Sequence, residues 1–99
     1  MYVQVSRVKI HQGLMEDAIR LFRESVLPLL VEQSGFIKFY LLSDPANDEL
    51  IVENFWETID DIEALQASGF YRAQVDKFAG IFASSPERSV YELATEFQS

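Results

Sequence analysis

Two apolar runs, "FIKFYLLS" (36–43) and "ELIVENFW" (49–56), flank the turn-forming segment "DPAND". Proline, asparagine and aspartate each favour turn geometry, so the runs are predicted to be consecutive strands of one hairpin. Alternate residues of a strand share a face. The first run then puts Phe36, Tyr40 and Leu42 on one side and Ile37, Phe39 and Leu41 on the other. The second puts Leu50, Val52 and Trp56 on one side and Ile51 and Phe55 on the other. A sheet built around this hairpin is apolar on both faces and needs cover on both.

The flanking sequence supplies cover for one face. Residues 2–10 alternate with Val and Ile as a strand, ended at Gly13. From Leu14 the period becomes helical, with Met15, Ala18, Ile19, Phe22, Val26 and Leu29 on one stripe. Pro28 should kink this helix or start a separate last turn, and Gly35 is its expected left-handed cap. Thr58 and Asp61 resemble a capping box for a helix starting at Ile59. Ser68 and Gly69 interrupt that helix, and Tyr71, Val75, Phe78, Ala79 and Phe82 form the stripe of the next segment. After "SSPE" comes a last strand, 88–94, with a tail at 95–99 that is loose or laid on a neighbour. The fold class is therefore α+β, in the ferredoxin-like order β-α-β-β-α-β. A single domain over 1–99 holds an antiparallel four-stranded sheet with helices on one face.

The helices leave the other face bare. Exposing half a dozen large apolar side chains forfeits several kcal/mol at about 25 cal/mol per Å², so a homodimer, sheet against sheet, is expected. Eight Lys and Arg against 16 Asp and Glu give a net charge of −8. Such a surface repels phosphate, so neither nucleic acid nor an anionic membrane is an expected partner. With no cysteine, disulfides, thiolate catalysis and zinc–thiolate sites are excluded. The acidic turn 44–49 lacks the spacing and glycine of a calcium loop, and no metal site is expected. The alternating N-terminus resembles no signal peptide, so a cytoplasmic protein is expected.

The stretches "MYVQVSRVKI", "SGFIKFYLLSDP", "FWETIDDIEALQAS", "GFYRAQ" and "SVYEL" together resemble the antibiotic biosynthesis monooxygenase-like domains of the dimeric α/β-barrel group. The resemblance covers nearly the whole chain. It implies a pocket between sheet and helices in each subunit, faced by the tryptophan side of the third strand. It also implies an oxidoreductase that uses no metal or flavin cofactor: an electron-rich quinol or phenol, once deprotonated, passes an electron to oxygen itself.

On that resemblance Asn54 and Trp56 position the ring, Tyr71 and Arg72 close the pocket, and Ser6, Phe22, Val75 and Phe78 line it. Plainer roles stand beside these. Trp56 suits a core ring as well as a pocket wall, and Asn54 suits an amide bonded to its neighbours. Arg72 and Tyr71 suit a surface cation and a half-buried ring. His11, the one histidine, lies at a strand end. In the haem-degrading branch of the family, the ligating histidine and a first-strand asparagine fall on Val75 and Ser6 here. The isomerase branch carries a histidine near Gln66, and Gly69 replaces a histidine common in the family. The expected activity is thus a cofactor-independent monooxygenase acting on a small aromatic quinol or phenol. The alternatives are a non-catalytic dimeric module that binds a small ligand, and a structural dimer whose pocket is filled by Phe22, Trp56 and Phe78.

Overall fold

The computed structural model describes residues 1–99. Its strands are β1 (Tyr2–Lys9), β2 (Phe36–Asp44), β3 (Glu49–Trp56) and β4 (Glu87–Glu92), in the order β2-β3-β1-β4 with every pair antiparallel. Helices α1 (Met15–Leu21) and α2 (Leu27–Leu30) are joined by a wide π-turn, Phe22–Val26, and α3 (Ile59–Ala67) is followed by α4 (Phe70–Asp76). The predicted α+β, ferredoxin-like arrangement is the one observed. No helix is long and apolar enough to cross a membrane.

Register fixes the faces. Gln4, Ser6 and Val8 of β1 lie opposite Asn54, Val52 and Leu50 of β3, and this side meets the helices. Val3, Val5 and Arg7 lie opposite Phe55, Glu53 and Ile51 on the open side. In β2 the strict alternation expected from the sequence fails. A bulge between Phe36 and Lys38 inserts one extra residue, so the side chain facing shifts by one. Phe36 therefore joins Phe39 and Leu41 under the helices, and its ring stands edge-on to Trp56 at 5.6 Å. Lys38, Tyr40 and Leu42 share the open face.

The helical segments stop where local chemistry dictates. The π-turn ends two residues before Pro28 and contains Glu24, the residue four back whose carbonyl the proline ring would strike in a regular helix. The turn's Phe22 and Val26 are both buried. Thr58 caps α3 with the complete reciprocal box: Asp61 N–H donates to Thr58 Oγ1 at 3.2 Å and Thr58 N–H to Asp61 Oδ2 at 3.1 Å. Between α3 and α4, Gly69 is left-handed at φ 82°. The second helix is shorter than its apolar stripe: α4 ends at Asp76, and turns continue to Phe82, which bridges to Ile10. Phe78 nonetheless remains buried.

Gly35, at φ 81°, closes the first helical segment against the α3 cap, and a Cβ there would strike the Asp61 carboxylate. Its carbonyl accepts from Glu57 N–H at 2.9 Å. Gly35→Ala combines a left-handed non-glycine residue, worth about 1–2 kcal/mol, with a broken cap. A fall of that size or larger in denaturant-measured stability is the expected outcome, and an unchanged midpoint would contradict it.

Candidate functional site

The core falls into two parts. Val8, Ile10, Ala18, Phe22, Val26, Leu50, Val52 and Phe78 form one, and Leu30, Trp56, Ile62 and Leu65 the other. Between sheet and helices lies a cavity lined by members of both, among them Phe22, Phe78 and Leu30. Its volume is about 60 Å³, smaller than the cavity of roughly 150 Å³ that holds a benzene. It opens into a vestibule of about 530 Å³ lined by Gln66, Gly69, Arg72, Val75, Ser85 and Pro86. Tyr71, Val75, Pro86 and Arg88 border both chambers.

Of the residues singled out in the sequence, Ser6, Phe22, Asn54, Tyr71, Val75 and Phe78 all line the inner cavity. Trp56 does not. Its indole is wholly buried in the second core part, and its N–H donates to Asn54 Oδ1 at 2.7 Å. The flat wall expected of tryptophan comes instead from phenylalanines: Phe78 stacks on Phe82 at 4.4 Å and contacts Phe22 at 4.5 Å. Arg72 is also outside the cavity. It points along the exposed surface of α4, with Asp76 Oδ1 3.5 Å from its Nε. His11 is exposed and lies outside both chambers.

The indole holds the amide by this hydrogen bond. An indole N–H can only donate, so it fixes Asn54 with Oδ1 toward the ring and leaves the NH₂ group for the cavity. Three other polar side chains lack partners. Gln4, fully buried beside Asn54 in the register, has neither amide atom bonded, and Gln74 Oε1 and the Tyr71 hydroxyl are likewise unpaired. Each such group costs roughly 1–3 kcal/mol unless satisfied; Gln4 lies outside the cavity lining, but Gln74 and Tyr71 are on it, so their end of the cavity favours a polar guest.

The family model for antibiotic biosynthesis monooxygenase matches residues 1–77. The chain belongs to that family. No curated protein sequence matches it. SnoaB from Streptomyces nogalater, a cofactor-independent oxygenase, is 14% identical, with a TM-score of 0.76 over 99% of this chain and 97% of that one. A putative antibiotic biosynthesis monooxygenase from Nitrosomonas europaea is 16% identical, with a TM-score of 0.77 over 94% and 89%. A MhuD variant with two manganese protoporphyrin IX molecules per active site is 20% identical, with a TM-score of 0.77 over the full length of both chains. Likeness at these identities establishes the fold.

Within this monooxygenase-family chain the cavity suits a porphyrin poorly. Its lining contains no histidine, cysteine or methionine, and no cluster of three His, Cys, Asp or Glu forms anywhere in the chain. The titratable lining groups of the cavity are Tyr71 and Arg88 alone. Burial raises the Tyr71 hydroxyl well above its usual 10.0, with the Arg88 charge opposing the shift. Tyr71 is therefore a neutral donor at physiological pH, not a base. Arg88, which the sequence reading placed only in the last strand, stands 4.8 Å over the Tyr71 ring. Its register opposite Ser6 puts it on the helix side, the signal that could have found it.

The raised Tyr71 value has a stability consequence. Above about pH 10 the unfolded phenol ionises while the folded one stays neutral, so stability present below pH 10 is lost as pH rises through the folded value. The loss from this group is at most about 1.4 kcal/mol per pH unit. Tyr71→Phe should flatten the alkaline decline in thermal midpoint. An unaltered decline between pH 9.5 and 11 would refute the burial account.

Proposed function

We propose that this chain is a cofactor-independent monooxygenase-like protein that acts on a small aromatic quinol or phenol, as a homodimer paired through the open sheet face. The observation that carries this reading is the Asn54 amide, locked by the buried indole with its NH₂ group on a phenylalanine-walled cavity. A donor held in an apolar site stabilises an oxyanion far better than one in water. The substrate supplies the electrons. A phenol with a free ortho or para position and one O₂ give a quinone and water. One oxygen atom enters the ring, and the other leaves with the ring hydrogen and the phenolic proton. Asn54 holds the phenolate oxygen, Phe22, Phe78 and Phe82 hold the edge of the ring that enters with it, and neutral Tyr71 offers a second donor.

No lining group can take the phenolic proton, so it passes to solvent through the vestibule. That same lack of a base, with the small cavity volume, favours the second reading, a dimeric module that binds a small aromatic ligand without turning it over. Oxygen uptake with a panel of hydroquinones and phenols separates the two. Uptake that collapses in Asn54→Ala supports the oxygenase. Saturable binding by thermal shift without uptake leaves the binding module, and neither binding nor uptake defeats both.

A further inference from the structure

We infer that the preferred ligand is an aromatic acid that also carries a ring hydroxyl, with its carboxylate held in the vestibule by Arg88. This rests on the proposed aromatic-binding site and names the class of guest it selects. The chain carries twice as many acidic as basic residues, yet neither chamber is lined by a single Asp or Glu. The only formal charges on the two linings are Arg88 and Arg72. Arg72 has Asp76 beside it. Arg88, solvent-exposed on β4, has no carboxylate within ion-pair distance; Arg23 and Lys77 also lack one, but neither lines a chamber, whereas Arg7, Lys9, Arg20 and Lys38 are each paired. A guanidinium left free in an acidic molecule, at the junction of an apolar cavity and a polar vestibule, is a ready partner for a carboxylate.

The inner end supplies the complementary half. Gln74 is more than nine-tenths buried and its Oε1 accepts from nothing, while Asn54 has only its NH₂ group to offer. An acceptor and a donor on one cavity match a hydroxyl, which donates to the first and accepts from the second. A plain hydrocarbon would leave Gln74 orphaned. At about 60 Å³ the inner cavity is too small for a whole ring, so the ring enters hydroxyl first and its far substituent remains in the vestibule, beside Arg88.

The test is equilibrium binding by titration calorimetry with 4-hydroxybenzoate, phenol and benzoate, without turnover. The native protein should bind 4-hydroxybenzoate about tenfold tighter than either single-function probe, and salt should weaken the acids but not phenol. In Arg88→Gln the ratio of 4-hydroxybenzoate to phenol affinity should collapse toward one, with Arg88→Lys recovering part of it. In Gln74→Leu the ratio of 4-hydroxybenzoate to benzoate should collapse instead, and circular dichroism confirms that each variant is folded. Phenol binding as tightly as the acid, or an Arg88→Gln ratio equal to the native one, overturns this inference and leaves the aromatic site standing. Failure of all three probes to bind overturns the aromatic site as well.

Discussion

Asn54→Leu is expected to lower the thermal midpoint by roughly 5–15 °C and to remove aromatic binding, although leucine nearly matches asparagine in size. The indole N–H of Trp56 has one partner, Asn54 Oδ1 at 2.7 Å, and no access to water. Deleting that acceptor leaves a buried donor unsatisfied, at roughly 1–3 kcal/mol, and in a domain of this length each kcal/mol moves the midpoint by about 4–8 °C. A double-mutant cycle isolates the cause. Trp56→Phe alone strands the amide oxygen, but Asn54→Leu with Trp56→Phe strands nothing. The double variant should therefore be at least about 1 kcal/mol more stable than the sum of the single losses predicts. Strict additivity would show that the pair is not coupled, and the amide would lose its claim to be locked for a ligand.

The same pair shows how far the sequence could be read. Asn54 and Trp56 were assigned to one face of β3 by period alone, and they lie there. The period cannot say which of two same-face residues reaches a cavity and which sinks into the core. That depended on the Phe36 ring, which arrives beside Trp56 only through the bulge after it. The bulge was illegible because Ile37 is apolar and continues the expected alternation without a break. The caps were legible because their chemistry is local: Thr58 with Asp61, and the left-handed Gly35 and Gly69. Gln4 and Gln74 were missed as candidates because a glutamine in a strand or helix ordinarily faces water. Face counting alone would have exposed Gln4, since it shares the helix side with Ser6 and Val8. Gln74 carries no such signal, because its burial comes from the way α4 packs.

In dilute solution the protein should scatter light as a particle of about twice 11.4 kDa, and Tyr40→Glu with Leu42→Glu should abolish that particle. The isolated chain buries only 16 of its 99 residues, too little core for so apolar a sequence. On the open face Tyr40, Leu42 and Tyr91 are each about half exposed, next to Val3, Val5 and Ile51 in the register. Charge does not oppose pairing at this end of the sheet. Lys38 Nζ is neutralised by Glu96 Oε2 of the tail at 2.7 Å and lies over the Phe55 ring at 4.7 Å. A stable interface needs roughly 1,200 Å² or more of buried surface, which one sheet face laid on its copy can provide. Two glutamates introduced beside Glu53 would be buried in the pairing face, and two-fold symmetry doubles every added charge. The variant is expected to run as a monomer or to unfold. The native protein should show a midpoint that rises with concentration, as mass action requires of a dimer whose monomer is marginal. A native mass of 11.4 kDa with a concentration-independent midpoint would mean that the open face tolerates water, and the pairing would have to be abandoned.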